Sequence, residues 1–502
     1  MKSHRLLLSA LILFQTSQLA RAGSATWNLN PTSGDWNTAA NWTPATVPGS
    51  TDVATFGVSN LPTVLLGPED LINTVMFDST ASAYVISTNP EGQSSEMFVY
   101  GGITNDSSVV QNFVLTTDDQ GGQGNITFFH GSAGSRTAFL CEAGTFPGRG
   151  GGSADFIDDT SAGEGVFTTE GVSVAGGSPG QIDFFTNSTA DNATCVNNGA
   201  TVSGGAGGIT YFSFRSTAAN SYLIANGGTN GGAGGQILFD YRAAGGTTRV
   251  ALFGNGFLSL NGVQHSLSIG SLEGDGMAKL FGKPLTVGTN DLSTVFSGII
   301  DETGGSGPSS VTKVGSGTLT LSGANLYSGG TVINEGELMI ANTEGSATGT
   351  GSVQVNAGTL SGSGTIVGGV TVGTDSSTGA FLAPAGSTGI QATLGMQSSL
   401  SFNADATYTC TFKAKKKQSK TDKVIANGVT INSGAMFSLS GITRGTLTQG
   451  LILSVIRNTA ATPIAGTFSN LPDGGILTVN GNNFQANYEG GDGNDLTLTV
   501  VP

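Results

Sequence analysis

Two aspartates in the first half of the chain have the type and spacing of a ligand-binding pair. Asp155 and Asp183 occupy the same position in two similar segments, SADFI at 153–157 and QIDFF at 181–185. Asp158 and Asp159 lie close by. Paired carboxylates can supply oxygen ligands to calcium or share general acid and base roles. We therefore expect a solvated acidic face, with Asp155 and Asp183 as candidate calcium ligands and as a catalytic pair in the two alternatives.

The sequence lacks the motifs of conventional hydrolases, metalloenzymes and nucleotide-binding enzymes. After position 22 the chain has two histidines, His130 and His265, and they fall in different segments. A polysaccharide lyase would need a basic residue near the aspartates, and their two segments contain none. We expect no catalytic residue and no cofactor.

The segments that position the aspartates belong to a five-fold repeat. The repeated cores are NITFF, SADFI, QIDFF, GITYF and QILFD, which begin at positions 125, 153, 181, 208 and 236. They define a 28-residue repeat with one slightly shorter step, and a second apolar patch follows each core by about one half-repeat. Polar and apolar residues alternate over four or five positions, which is a strand pattern. Aligning the cores predicts one aromatic column, formed by Phe128, Phe156, Phe184, Tyr211 and Phe239.

Short strands, Gly and Asn turns and a fixed period predict an all-β chain folded as a parallel β-solenoid. Each coil, of about 20–28 residues, should stack on the next at roughly 4.8 Å. Like side chains then lie against like side chains, and Phe128 should stack on Phe156 and Phe156 on Phe184. A β-sandwich is the alternative, but a sandwich has no reason to keep a 28-residue period.

Downstream the repeat unit becomes shorter. Strand-like tetrads separated by Ser-Gly, Gly-Gly, Glu-Gly and Ala-Gly turns indicate that the same architecture continues. The tetrads are at 318–321, 331–334, 337–340, 352–355, 364–367 and 369–372.

One stretch of this region, residues 313–340, resembles the autotransporter-associated β-strand repeat of bacterial surface proteins. It has a leading Lys313, the run GTLTLSG at 317–323, Tyr327, Gly-Gly-Thr at 329–331 and Gly336 ahead of Leu338. The Trp-rich start, WNLNPTSGDWNTAANW, and the closing YEGGDGNDLTLTV also resemble exported β-solenoid proteins. The resemblance implies a passenger-like, right-handed parallel β-helix, a sense that agrees with the general rule for parallel crossovers. Because the chain ends at Pro502 without barrel-like segments, we expect a passenger without its own C-terminal translocator barrel.

The segment 1–22 reads as a cleaved secretory signal peptide, with a basic start, the apolar run LLLSALILF and small residues at ARA. No later segment is long and apolar enough to span a membrane, so we expect an extracellular, outer-surface or periplasmic protein. The regions we predict are a signal peptide (1–22), an N-terminal Trp-rich region of the β-helix (23–120), the 28-residue repeat solenoid (121–260), connecting coils (261–312), the autotransporter-associated repeat region (313–395) and a C-terminal β region ending the solenoid (396–502).

The charge of the chain bears on its binding partners, and its cysteine content bears on disulfides. A net charge of −15 argues against binding to nucleic acid. The segment FKAKKKQSKTDK, within which residues 413–423 are Lys-rich, is either a solvated loop or a contact for an acidic polysaccharide or lipid surface. Three cysteines, Cys141, Cys195 and Cys410, cannot form a complete disulfide framework. We expect Cys141 and Cys195 to be buried free thiols, two coils apart.

Two further motifs have competing interpretations. Trp27, Trp36 and Trp42 either cap the open end of the solenoid or stack on sugar rings. The stretch GGDGNDLTL at 490–498 fits the calcium-binding nonapeptide of β-roll repeats. Calcium there is held between tandem copies, and the sequence has one, so we expect a terminal turn that binds no calcium.

Together these features predict an exported, surface-associated structural or adhesive β-helix protein without catalytic activity. Extracellular polysaccharides or cell-surface glycans are the partners we expect. The alternatives are a polysaccharide-active β-helix enzyme working through the Asp155 and Asp183 face, and a calcium-dependent glycan binder.

Overall fold

The chain folds as a parallel β-helix in the computed structural model, which describes residues 23–148, 150–376, 379–443 and 445–502. Within those residues there are 45 strands and two three-residue 3-10 helices, Ala39–Asn41 and Gly386–Thr388. The predicted signal peptide, residues 1–22, lies outside the described residues. The strands form four sheets, numbered here 1 to 4, whose neighbours are almost all parallel.

Sheet 1 carries the aspartates and runs through the first half of the molecule. Its inward side chains are apolar and its outward ones are mostly polar, which is the alternation expected of a half-buried strand. In order, its strands are Trp42–Thr43, Ala25–Trp27, Val53–Phe56, Glu69–Phe77, Ser95–Asn105, Gly124–Phe128, Ser153–Phe156, Gln181–Phe184, Ile209–Phe212, Gln236–Phe239, Phe257–Ser259, Met277–Lys279 and Ile299–Asp301.

Sheet 2 forms a second wall along nearly the whole solenoid. It runs through the predicted boundaries at 120, 260, 312 and 395, and those boundaries stay predictions. Its strands are Thr63–Leu66, Val85–Thr88, Gln111–Leu115, Ser135–Cys141, Glu164–Thr169, Thr194–Asn197, Tyr222–Ala225, Arg249–Leu252, Ser271–Gly274, Thr294–Phe296, Thr318–Leu321, Glu337–Ile340, Gly358–Gly362, Ala380–Leu382, Ala406–Lys415 and Met436–Thr443, with Gln418–Thr421 antiparallel to Ala406–Lys415.

Sheets 3 and 4 complete the second half, and sheet 3 begins shortly before sheet 1 ends. Sheet 3 contains Leu267–Ile269, Leu285–Val287, Val311–Lys313, Thr331–Ile333, Val353–Val355, Val370–Val372, Leu400–Phe402 and Val429–Ile431. Sheet 4 contains Thr365–Ile366, Thr393–Met396, Lys423–Ala426, Ile452–Asn458, Asp495–Val501, Asn482–Gly490 and Ile476–Val479. The predicted tetrads are thus strands to within one or two residues. The handedness of the coils stays a prediction.

A ladder of phenylalanine rings fills the core of the 28-residue coils. Phe128, Phe156 and Phe184 are paired in register, and their ring centroids lie 4.8 and 4.9 Å apart with nearly parallel planes. The stack continues through Phe212 and Phe239 at 4.7 and 4.8 Å. The predicted column and its spacing are therefore confirmed in all but one member.

That member is Tyr211, which was the wrong choice for the column. Asp183 pairs with Tyr211, and Phe184 pairs with Phe212. The step from Phe184 to Phe212 therefore equals the two steps before it, and the shorter step comes one coil later, between Phe212 and Phe239. Because side chains alternate between faces, a shift of one residue moves a whole strand's side chains to the opposite face. Phe212 is therefore in the core, and Tyr211 faces outward.

Coils of the second half vary more in length. Val353 has Val370 as its register partner on the next coil, which is a short step along the chain. Val370 in turn pairs with Leu400, which is a much longer step. Between Val311 and Val372 the inward strand residues are mainly aliphatic, and aromatic rings such as Phe402, Tyr408 and Phe468 fill the core further along. The extra residues of the longer coils are accommodated in the turns between strands.

Both ends of the solenoid depart from the parallel pattern. At the start, Ala25–Trp27 pairs in parallel with Val53–Phe56 but antiparallel with Trp42–Thr43. At the other end, Asn482–Gly490 and Asp495–Val501 form an antiparallel hairpin that closes sheet 4. Sheet 1 therefore begins, and sheet 4 ends, with antiparallel strands in place of parallel ones.

Candidate functional site

The outer face of sheet 1 brings Asp155 and Asp183 together, as predicted. They are register partners on the adjacent strands Ser153–Phe156 and Gln181–Phe184. Both alternate with core residues and point away from the Phe ladder. Asp155 is half-buried, and Asp183 is only 8 % exposed. The carboxyls are therefore on the outer face but largely withdrawn from water, so the expectation of a solvated face is wrong for this pair.

The side chains that donate hydrogen bonds to this aspartate pair are neutral. The Gln181 amide donates to both carboxyl oxygens of Asp183 at 2.8 Å, and the Ser153 hydroxyl donates to Oδ2 of Asp155 at 3.3 Å. Oδ1 of Asp155 is buried without a hydrogen-bond partner among the described residues. Burial, and then the charge of Glu96, raises the pKa of Asp155 to about 6. Burial, and then the charge of Asp155, raises the pKa of Asp183 well above its usual value.

These surroundings suit a pair that keeps a proton more than a pair of ionised ligands. Two carboxylates on adjacent coils repel each other unless one holds a proton, which it can donate to the other. Across the described residues, no group of three or more His, Cys, Asp and Glu side chains is placed to hold a metal ion. Calcium needs six to eight oxygen ligands. Metal binding by Asp155 and Asp183 stays a prediction, and so does a catalytic role.

A cleft next to the aspartate pair was not anticipated from the sequence. We call it the aromatic–arginine cleft; it has a volume of about 550 Å³ and is lined by Thr186, Asn187, Phe214, Arg215, Tyr241, Arg242 and Gln264. The Phe214 and Tyr241 rings are stacked, with centroids 5.3 Å apart and planes 5° from parallel. They are 52 % and 43 % exposed.

The cleft residues follow the sheet 1 strands on successive coils. The N–H of Arg215 donates to the carbonyl of Thr186, that of Arg242 to Phe214, and that of Gln264 to Tyr241. The side chain of Arg242 donates through Nε to Oε1 of Gln264 at 2.9 Å. One sequence signal was available: the dipeptides Phe-Arg at 214–215 and Tyr-Arg at 241–242 repeat an aromatic–arginine pair one coil apart.

A second groove lies on sheet 2 and contains the one ion pair among the described residues. Arg249 donates bidentately to Glu273 at 2.7 and 3.0 Å, and its guanidinium lies 4.6 Å from the centre of the Tyr222 ring. Glu337 lies on a later strand of sheet 2. Burial acts to raise the pKa of this carboxyl, but hydrogen bonds from Ser361 and Ser387 hold it below its usual value. The charged groups of this groove are thus already engaged by the protein.

The three tryptophans form an end cap, which confirms one of the two interpretations. They are 1–2 % exposed, and Trp42 meets Trp27 and Trp36 edge-on at 5.0 and 4.9 Å. All three contact Phe56, the first ring of the core. Buried rings in these positions present no face to a sugar.

The thiols are as predicted: Cys141, Cys195 and Cys410 are buried and free. Cys195 pairs with Phe167, which pairs with Phe139, so Cys141 lies two coils away and two positions along the strand. Burial raises the pKa of Cys195 to about 12 and that of Cys141 still further. Thiols held in the neutral form are poor nucleophiles.

The Lys-rich segment 413–423 forms a hairpin on sheet 2. Ala406–Lys415 turns through Lys416 and Lys417 and returns as Gln418–Thr421. Five of its lysines are exposed, and Lys423 is half-buried in sheet 4. The hairpin therefore projects a positive charge from an acidic molecule. Its binding role stays a prediction.

The stretch GGDGNDLTL makes the turn of the final antiparallel hairpin. Gly490 and Asp495 are partners across that turn. Oδ1 of Asp495 accepts the N–H of Asn458 at 2.9 Å, whereas Asp492 is exposed. The predicted terminal turn is confirmed, and the absence of calcium binding stays a prediction.

The residues that carry the repeat resemblance have structural roles. Lys313 is buried, and its Nζ donates to the carbonyls of Val314, Gly315 and Glu335 at 2.6–3.3 Å. Burial lowers the pKa of this lysine to about 8. Gly336 has a φ of +68°, and a Cβ there would lie 2.3 Å from the carbonyl oxygen of Gly315.

Comparison with known proteins finds a repeat family in the region that carries the sequence resemblance. The family model of the passenger-associated-transport-repeat matches residues 311–340. No curated protein matches the chain. The matched repeat and the parallel β-helix fit an autotransporter passenger-like β-repeat protein, and a repeat of this type implies export. No helix within the described residues is long and apolar enough to cross a membrane.

Proposed function

From a passenger-type repeat within a parallel β-helix, we propose that this chain is an exported, surface-associated scaffold that binds extracellular polysaccharide or cell-surface glycan without catalysing a reaction. The observation that carries the proposal is the series of uncharged polar ladders along the outer faces and turns. Repeated polar groups at the spacing of one coil offer many equivalent contacts to a repetitive ligand.

Several of these ladders are asparagine stacks on neighbouring coils. Asn226 donates to Asn198 at 2.9 Å, Asn356 to Asn334 at 2.9 Å, and Asn432 to Asn403 at 3.0 Å. Stacks of this kind stabilise the turns of the coils. Their remaining amide groups are partly exposed to solvent, which suits hydrogen bonding to sugars.

The charged groups give less support to an enzyme. Arg249 and Glu273 neutralise each other, and Asp155 and Asp183 have neutral hydrogen-bond donors as neighbours. A lyase would need a base poised beside an acidic sugar, and a hydrolase would need an acid and a base at separate positions. The scaffold role requires neither arrangement.

The test is a glycan array screened with the mature chain, followed by a turnover assay on every glycan retained. We expect retention without new reducing ends or unsaturated sugar ends over hours. Turnover that is abolished by Asp155→Asn/Asp183→Asn would replace the proposal with a polysaccharide-active enzyme. Retention that requires calcium would replace it with a calcium-dependent glycan binder.

A further inference from the structure

The aromatic–arginine cleft contains two aromatic side chains at a turn whose backbone conformation suits other residue types. Phe214 has a φ of +58° and Tyr241 a φ of +49°. Positive φ is rare for bulky residues, and such turns usually hold Gly, Asn or Asp. The preceding coils place Asp158 and Thr186 at the same turn with φ of +59° and +58°. Strained backbone that carries large exposed rings indicates a binding role.

The two arginines beside these rings are free to bind a ligand. Arg215 and Arg242 are exposed, and neither is part of the ion pair formed within the described residues. The carboxylate nearest to Arg242 along the chain is that of Asp240, whose Oδ2 accepts the Tyr211 hydroxyl at 2.9 Å and whose Oδ1 accepts the Tyr241 N–H at 2.7 Å. Asp240 is thus engaged by groups of two tyrosines, and Arg242 keeps its Nη groups available beside the bond from its Nε to Gln264.

The order of groups along the cleft follows the solenoid axis. Asn187, Arg215, Arg242 and Gln264 lie on four successive coils, so the two guanidinium groups recur at about one coil step, roughly 4.8 Å. A pyranose ring within a chain is of similar length. The cleft therefore suits an extended ligand that bears one negative charge per sugar.

We propose that the aromatic–arginine cleft binds a carboxylated polysaccharide, a polyuronate, with its sugars placed along successive coils. The guanidinium groups of Arg215 and Arg242 bind sugar carboxylates with paired N–H donors. Phe214 and Tyr241 supply apolar faces for the sugar rings. The amide of Gln264 binds hydroxyls, as does the amide oxygen of Asn187, whose nitrogen donates to Asp159 at 3.3 Å. This inference rests on the proposed glycan-binding role and assigns it a location and a ligand class.

The overall charge of the chain favours this ligand over nucleic acid. The protein carries a net charge of −15 and repels polyanions, so only a locally complementary ligand can bind. Duplex DNA carries one charge per ~1.7 Å of axis, whereas a polyuronate carries one per sugar. The polyuronate is repelled less and matches the two arginines.

The experiment measures the affinity of polygalacturonate oligomers for the whole mature protein by calorimetry, with methyl-esterified oligomers as the neutral comparison. Arg215→Ala/Arg242→Ala should weaken binding at least tenfold, and esterification should weaken binding to the unaltered protein by a similar factor. Phe214→Gly/Tyr241→Asn should also weaken it. Because Gly and Asn suit positive φ, this variant should melt at or above the temperature of the unaltered protein, which separates loss of binding from loss of fold.

The matched control is Lys415→Ala/Lys416→Ala/Lys417→Ala, which removes more positive charge at the distant hairpin. We expect it to bind polygalacturonate as the unaltered protein does. Loss of binding in the lysine variant but not in the arginine variant would overturn the cleft assignment and leave the glycan-binding role standing. Equal binding of single-stranded DNA, with the same arginine dependence, would overturn the polyuronate assignment. Failure to bind any acidic or neutral glycan would overturn both proposals.

Discussion

The coils between Gly124 and Leu252 and the coils between Val311 and Val372 share one backbone ladder but stabilise it with different side chains. The first set stacks Phe rings at 4.7–4.9 Å. The second set stacks Val, Leu and Ile and clamps a turn with the buried Lys313. Ring stacking needs matched planes, so it suits coils of constant length. Aliphatic packing is non-directional and tolerates coils of unequal length.

We expect the largest effect from a substitution that interrupts the stacked Phe ladder. Phe184 lies between Phe156 at 4.9 Å and Phe212 at 4.7 Å. Phe184→Ala should lower the free energy of unfolding by about 3–5 kcal/mol, as for other buried aromatics. Amide hydrogen exchange should show the loss spreading to the coils on both sides. A denaturation cost below about 1 kcal/mol, or one equal to that of the half-buried outward Phe185→Ala, would contradict the ladder.

The next effect tests the clamp of the shorter coils. Lys313→Met keeps the apolar stem but leaves the carbonyls of Val314, Gly315 and Glu335 without their ammonium donor. Unpaired buried polar groups destabilise, so we expect a loss of about 1–3 kcal/mol in thermal or urea unfolding. The control is Lys279→Met, whose ammonium lies over the Phe257 ring at 4.2 Å and is partly exposed. Equal losses in the two variants would show that the carbonyl contacts are unimportant.

The aspartate pair should make stability depend on pH in the 28-residue coils. Its folded-state pKa values are raised, to about 6 for Asp155, so the folded state binds protons that the unfolded state has released. The contribution of the pair to the free energy of unfolding is then greatest below about pH 4. It is lost as the pH rises through 6. Asp155→Asn/Asp183→Asn should stabilise the protein by about 1–3 kcal/mol at pH 7.5 and by much less at pH 4.

The measurement for the aspartate pair is a series of urea denaturation curves between pH 4 and 8. Exposed Asp159→Asn serves as the control for removal of a negative charge from the same face. If the double variant showed the same slope of stability against pH as the unaltered protein, the pair would not share a proton.

For the addition of calcium we expect no change in the melting temperature. The terminal turn 491–494 joins antiparallel strands and has no stacked copy to supply further oxygen ligands. Melting curves in millimolar calcium and in chelator should therefore coincide, because a ligand bound to the folded state raises the melting temperature. A calcium-dependent rise that disappears in Asp492→Ala would restore a calcium site at this turn. A rise that disappears only in Asp155→Asn/Asp183→Asn would place calcium at the aspartate pair.

Much of this fold was predictable because the repeat places the same contact at the same position in several coils. The Phe128, Phe156 and Phe184 column and the pairing of Asp155 with Asp183 both follow from the 28-residue steps. The error at Tyr211 arose where two neighbouring aromatics, Tyr211 and Phe212, both fit the column. Only the position of the single shorter step decides which of them faces the core.

The cleft and the lysine clamp were harder to predict for different reasons. Phe214 and Tyr241 lie on turns whose positive φ favours other residue types, so their residue types gave no signal of the turn that exposes them. Lys313 was recognised through a family resemblance, but its burial depends on carbonyls contributed partly by the next coil, at Glu335. Contacts between coils are set by tertiary structure, and single-residue propensities do not contain them.

The closed ends of the solenoid have a consequence for its length. Because the Trp cluster and the final hairpin terminate the ladder independently of the coils between them, the number of coils can change while both ends stay the same. Deletion of 181–208 would place Phe212 on Phe156, a contact of the kind already present. Each whole coil gained by duplication would move one end away from the other by about 4.8 Å. The length of the solenoid is therefore set by the number of whole coils between its two ends.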